Sequence, residues 1–224
     1  MQPPPDVGTN RTMNFDHQRI IFDPNLARPV TLIGAGSVGG EVAVKLAQVG
    51  VTDLTVWDHD DVASHNIPMS VYRVGDLGHY KVDALTQIVR DKTGIEIRAI
   101  RRAWRGEPLR DSVVCCVDSM DVRIEIWKRV RNNPLIDIFI DTRIAQEFVA
   151  IYTINPTDPE QVAFYESRLY PSNEAKTPTC GEHGITYVSS VAASAAVARL
   201  TNCWKGDKTP MLFEMLVGSL RQIT

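Results

Sequence analysis

Two rhythms alternate along the chain from Val30 onward: short apolar runs, and longer stretches with apolar residues three and four positions apart. The first rhythm marks buried strands and the second helices with one apolar face. They predict strand Val30–Gly34, helix Val38–Val49 and strand Asp53–Asp58, which make a βαβ unit. A loop runs to about Gly78, followed by helix His79–Lys92, strands Ile95–Ile100 and Val113–Val117, helix Met120–Arg131 and strand Leu135–Asp141. Strands separated by helices pair in parallel. The link to the next apolar run, Phe148–Ile154, is too short for a crossover, so a hairpin is expected there and the sheet turns mixed. Residues 156–179 are polar and proline-containing, with a short helix Asp158–Ser167 and then a long excursion, and an Ala- and Ser-rich helix Gly184–Trp204 comes last. The expected fold is α/β, a Rossmann-like doubly wound, mostly parallel (mixed) sheet. Residues 1–13 hold three consecutive prolines and no apolar period, which predicts a tail of residues 1–13 and one domain over 14–224.

Composition narrows the function classes. In 224 residues, 44% hydrophobic and 23% charged positions suit one globular domain with a sizeable core. Basic residues number 24 against 27 acidic, a net charge of -3, so no broad basic surface for nucleic acid is expected, although a local patch stays open. The longest uncharged helical stretch, Gly184–Ala198, is interrupted by serines and falls short of the ~20 apolar residues of a membrane span. The opening MQPPPDVGTN lacks the apolar core of a secretory signal, and four Cys in this length do not make a disulfide framework. A cytoplasmic protein is expected.

The chemistry starts at Gly34-Ala35-Gly36-Ser37-Val38-Gly39, a G-x-G-x-x-G between an apolar strand and a helix. Gly34, Gly36 and Gly39 allow a tight turn and close approach, and the unpaired N–H groups opening the helix, from Ser37 on, favour phosphate. Asp58 ends the second strand, where a carboxylate can accept from ribose hydroxyls. To this point an NAD enzyme and an ATP enzyme look alike. Asp60, Asn66, Lys81 and Asp118 lie beyond what hydride transfer needs. Triphosphate chemistry uses both charge signs: a Lys on phosphate, a carboxylate for Mg2+, an Asn on a phosphate or sugar oxygen. Each also has a plain reading, with Lys81 as a first-turn residue, Asp118 as a helix N-cap and Asn66 as a turn former.

Four blocks in this order resemble the ThiF/MoeB/HesA family of adenylyltransferases, the bacterial relatives of ubiquitin-activating enzymes: the glycine loop, Asp58-His59-Asp60-Asp61-Val62 with Asn66, Gly75-Asp76-Leu77-Gly78-His79-Tyr80-Lys81, and Asp118 to Arg123. The resemblance covers about Asn14 to Leu200. It implies an ATP site in which Asp58 binds ribose, Asp60 and Asn66 lie by the nucleotide, Lys81 contacts phosphate and Asp118 serves Mg2+ or the phosphates. The implied reaction is attack by the C-terminal carboxylate of a small ubiquitin-like or sulfur-carrier protein on the α-phosphate of ATP.

The chain departs from the family pattern in three places. Met69, in Asn66-Ile67-Pro68-Met69-Ser70, stands where the family has a phosphate-stabilising arginine. Arg143, after a predicted strand end, and Arg19, in a segment that in the family serves the dimer partner, are the expected substitutes; the resemblance also implies a homodimer, since family members pair through the sheet and last helix. The family's two C-x-x-C zinc pairs are missing, with Tyr165 and Arg168 at the first, so no zinc is expected. Cys180, between Thr177 and Gly184, occupies the crossover where relatives often place a reactive cysteine; a packed loop thiol is the competing reading. Cys115 and Cys116 are expected to be core residues on opposite faces of a strand. Two other functions remain open: an NAD-dependent oxidoreductase, and a degenerate nucleotide-binding scaffold, which the loss at Met69 favours.

Overall fold

The computed structural model of the chain describes residues 13–174 and 185–223. The first twelve residues of the expected tail, and Cys180 with the segment around it, lie outside the described residues. Strand β1 (Val30–Ile33), helix α1 (Ser37–Gln48) and strand β2 (Leu54–Trp57) form the leading βαβ unit. Then come α2 (Lys81–Thr93), β3 (Arg98–Ile100), β4 (Asp111–Cys115), α3 (Met120–Val130), β5 (Ile136–Ala145), β6 (Phe148–Ile154), α4 (Pro159–Glu166), α5 (Thr186–Lys205), β7 (Leu212–Leu216) and β8 (Arg221–Gln222). The strands form one sheet in the order β3-β2-β1-β4-β5-β6-β7-β8. Pairing is parallel from β3 to β5 and antiparallel from β5 to β8, so the hairpin expected at Phe148 is where the sheet becomes mixed.

Both faces of the sheet are covered. One apolar cluster joins Val42, Ala43 and Ala47 of α1, Leu85 and Val89 of α2 and Ala192, Ala193 and Ala196 of α5. The small residues of α5 let it lie close to α1 and the sheet. The other cluster sets Ile126, Trp127 and Val130 of α3 and Tyr165 of α4 against Val113, Cys115 and Phe139. Cys115 and Cys116 fall on opposite sides, in or against the second and first clusters respectively. Burial pushes the Cys115 thiol up to about 12 and raises Cys116 as well, so both are inert packing groups.

The sequence pattern differs from the structure at two ends. β5 runs on to Ala145 and pairs with Phe148 across a two-residue turn in which Gln146 adopts φ 53°. β7 and β8 follow α5, where no element is predicted. β7 is a Leu- and Met-rich segment, half-buried along most of its length, so it carries neither strict alternation nor β-branched residues.

Candidate functional site

The parallel strands end in a cavity of about 350 Å³, lined by the glycine turn, by residues 57–60 and 116–118, by His65, Asn66, Met69 and Ser70, and by Lys81, Ala103, Trp104, Val122, Thr142 and Ile144. This is the carboxyl end of β1, β2 and β4, where β2 and β4 leave β1 on opposite sides, the switch point at which α/β sheets bind ligands.

The three glycines of the turn differ in what constrains them. Gly34 has φ 95°, and a Cβ there would lie 2.5 Å from the Cys116 carbonyl oxygen. A Cβ on Gly39 would lie 2.0 Å from the Gly34 carbonyl oxygen, so both are demanded by the fold. Gly36 has nothing within 4 Å of that position and opens onto the cavity. The N–H groups of Gly36, Ser37 and Val38 have no acceptor among the described residues, which leaves them as donors at the positive end of α1.

Asp58 is buried, and both its oxygens are engaged: Oδ2 accepts the Ala35 N–H at 2.6 Å and Oδ1 the Asp60 N–H at 2.8 Å. It therefore binds the glycine turn to the turn after β2. Lys81, buried at the start of α2, donates from Nζ to Asp60 Oδ2 at 2.7 Å, while its own N–H donates to the Asp60 carbonyl. Burial alone would raise the Asp60 carboxyl, but the hydrogen bond and charge of Lys81, helped by His59, hold it below its ordinary range. Asn66 Oδ1 accepts the Ala63 N–H at 2.9 Å, capping the 3-10 turn Ser64–Met69, and its amide nitrogen has no protein partner among the described residues. Asp118 is exposed on the cavity wall. The N-cap role that competed for it belongs to Ser119, whose Oγ accepts the Val122 N–H at 3.4 Å. Asp118 itself makes no hydrogen bond or ion pair among the described residues.

The structure thus brings together Gly34, Gly36, Ser37, Asp58, Asp60, Asn66, Lys81 and Asp118, with Gly39 directly behind them, and Met69 faces the same space. It places Arg143 elsewhere. Thr142 and Ile144 of β5 turn toward the cavity, so Arg143 points to the opposite face. There its Nε donates to Asp141 Oδ2 at 2.7 Å, its Nη1 donates to the Arg168 carbonyl, and its guanidinium stacks on Tyr152. Arg19 is exposed in the turn before Phe22. Its neighbour Gln18 donates to the carbonyl of Gln48, the last residue of α1. A helix of 12 residues spans roughly 18 Å, so Arg19 lies beside the opposite end of α1 from the glycine turn and the cavity.

Some lining residues carried no sequence signal. Trp57 is one, at the last position of β2, with Arg102 4.9 Å above its ring; Ala103 and buried Trp104 are others, in the link between β3 and β4. With Ile33, Val117 and Val122 they give the cavity an apolar share of its lining, beside the polar share that includes Lys81 and Asp118. Behind the wall, Arg123 is fully buried and donates to Asp141 Oδ1 at 2.6 Å and to the Val117 carbonyl at 2.6 Å. The Tyr165 hydroxyl donates to Asp141 Oδ2 at 2.9 Å. The group Asp58, His59 and Asp60 has the spacing of metal ligands, but the Lys81 ammonium already sits on Asp60.

Residues 26–219 match the profile of the ThiF family, most of the chain. The chain belongs to the ThiF family. Among ThiF-related proteins it is 30% identical over 184 residues to the sulfur carrier protein ThiS adenylyltransferase of Escherichia coli strain K12, covering 76% of this chain and 68% of that one. It is also 28% identical over 117 residues to tRNA threonylcarbamoyladenosine dehydratase 2 of Saccharomyces cerevisiae, covering 47% of this chain but only 26% of that protein. The crystal structure of E. coli MccB with ATP superposes with a TM-score of 0.71 over 97% of this chain and 71% of that one. At 15% identity that last likeness is one of fold.

Proposed function

We propose that this ThiF-family chain is an ATP-dependent adenylyltransferase that activates the C-terminal carboxylate of a small ubiquitin-like or sulfur-carrier protein. The observation that carries the reading is one cavity lined both by apolar side chains, suited to a base, and by helix N–H donors, Lys81 and Asp118, of which, among the described residues, only Lys81 has a partner. The carboxylate oxygen attacks the α-phosphorus, the bond to the bridging oxygen breaks, and pyrophosphate departs, leaving an acyl-adenylate. The Gly36, Ser37 and Val38 N–H groups bind phosphate oxygens, and Lys81, released from or shared with Asp60, adds a full positive charge. Asp58 fixes the turn and keeps lone pairs for a ribose hydroxyl; Asn66 offers its amide nitrogen.

Asp118 fits a Mg2+ ligand, because among the described residues it is the carboxylate of the site with neither a backbone donor nor a lysine on it. When bound, Mg2+ would neutralise phosphate charge. The three described cysteines are free thiols, and no helix of the described residues is long and apolar enough to cross a membrane; both support a cytoplasmic setting. Arg143 is assigned to the core. The charge missing at Met69 then falls to Arg19 of a second copy, and exposed Ile20 and Ile21 beside it support a homodimer. Cys180 remains a proposed acyl acceptor.

Calorimetry should show ATP with Mg2+ binding more tightly than NAD, and ATP:pyrophosphate exchange should appear when a small protein with a free C-terminal carboxylate is supplied. Tight NAD binding without ATP binding overturns the reading. The half-buried Met69 in a cavity where Lys81, its one lysine among the described residues, is already paired favours the scaffold as a second reading, which predicts ATP binding with no exchange for any carrier.

A further inference from the structure

Tyr72 lies outside the cavity lining, yet it touches the glycine turn directly. Its hydroxyl donates to the Ala35 carbonyl oxygen at 2.5 Å, and the residue is 3% exposed. The same residue is held from the other side, where the Ala35 N–H donates to Asp58 Oδ2. Tyr72 is itself anchored. Its N–H donates to Ser70 Oγ, which in turn donates to the Asn66 carbonyl. Val71 meanwhile packs so tightly on the first turn of α1 that a Cβ at Gly40 would come within 3.0 Å of it. Burial, with the charges of Asp58, Asp76 and Asp60 adding to it, raises the Tyr72 hydroxyl well above its ordinary range, so it stays a donor.

The Ala35 carbonyl shares a peptide unit with the Gly36 N–H. No peptide bond of the described residues is cis, so that N–H points away from the carbonyl. With Tyr72 holding the oxygen, the Gly36 N–H points away from Tyr72, and Gly36 itself lines the cavity with open space at its Cβ position. A hydrogen bond at one end of a peptide also strengthens the donor at the other.

We propose that Tyr72 is a positioning residue for phosphate, fixing and polarising the Ala35–Gly36 peptide so that the Gly36 N–H serves as a preset anion donor. This rests on the nucleotide reading above and assigns a share of phosphate recognition to a residue that touches no ligand. Tyr72→Phe keeps the ring and removes the hydroxyl. Binding of ATP and of inorganic pyrophosphate should weaken about three- to tenfold, while adenosine, which has no phosphate, should bind as before and the Tm should fall by only a few degrees. Equal weakening of all three, or of none, overturns the proposal. If the variant does not fold, pyrophosphate titration of the wild-type chain followed by amide NMR decides. A shift of the Gly36 amide supports the assignment, and shifts at Ser37 and Val38 with Gly36 unmoved overturn it. If the wild-type chain binds neither ATP nor adenosine, the nucleotide reading falls, and the Gly36 amide still decides the role of Tyr72.

Discussion

Gly34, Gly36 and Gly39 share one residue type under three different constraints, and substitution can separate them. Alanine at Gly34 must adopt φ 95° and meets the Cys116 backbone, and alanine at Gly39 meets the Gly34 carbonyl; each should lower the Tm sharply. Gly36 sits at φ -70° and ψ -155° with free space at its Cβ position, backbone that alanine adopts without strain. Gly36→Ala should therefore leave the Tm nearly unchanged while weakening ATP binding by about tenfold or more, since its methyl occupies the approach to the N–H donors. Thermal unfolding with a calorimetric titration of each variant checks both halves. A Tm loss at Gly36 equal to that at Gly34 would mean the middle glycine is structural after all. The motif was legible in the sequence as a unit because strand, glycines and helix follow one another. The different constraints on its three members were not, because the one on Gly34 comes from Cys116, about 80 residues away, and the one on Gly39 from the path the turn takes around the Gly34 carbonyl.

At the scale of elements, β5 shows why charged residues mislead a pattern reading. The expected strand stops at Asp141, with Arg143 beyond its end. The strand continues to Ala145 because Asp141 is fully buried with its charge met by Arg123, Arg143 and the Tyr165 hydroxyl. The same pairing explains where Arg143 goes: it faces its partner, away from the cavity. Arg123 also holds the Val117 carbonyl, so the network that closes the core under α3 and α4 sets the position of the Asp118 turn. Removing one partner of a buried pair typically costs about 3 to 5 kcal/mol. Asp141 keeps two other partners, so Arg123→Met should fall at the low end, lowering the Tm by roughly 6 to 12 °C. Lys128→Met, which breaks the exposed pair with Glu125, should change it by about 2 °C or less. Equal shifts for the two would remove the network from the account of this wall. Of the other elements, the β5–β6 hairpin was readable from its short connection. β7 and β8 were not, because antiparallel partners at a sheet end need little apolar alternation of their own.

At the scale of the whole molecule, the distribution of charge poses a problem that one chain does not solve. The cavity wall carries Asp58, Asp60 and Asp118 against one lysine, and triphosphate adds further negative charge. Arg19 cannot reach its own cavity, because Gln18 is tied to the far end of α1 and Phe22 packs 6.0 Å from Trp204 near the end of α5. Yet Arg19 is exposed next to Ile20 and Ile21, which are 92% and 71% exposed, a side-by-side apolar pair of the kind that a protein partner covers. A twofold dimer would place each chain's Arg19 near the other's cavity if the two faces meet, and such sharing has a distinctive genetic signature. Arg19→Ala and Lys81→Ala homodimers should each lose exchange activity. Mixed and allowed to re-equilibrate, half of the dimers are heterodimers, and in each of these one site has its own Lys81 and the partner's Arg19 while the other site lacks both. The mixture should therefore recover about a quarter of wild-type activity. Light scattering on the wild-type chain should give twice the monomer mass at micromolar concentration. Activity in the mixture no greater than the sum of the two variants would show that Arg19 does not act across an interface, and retention of full activity by Arg19→Ala alone would show that the site works with the charge it holds.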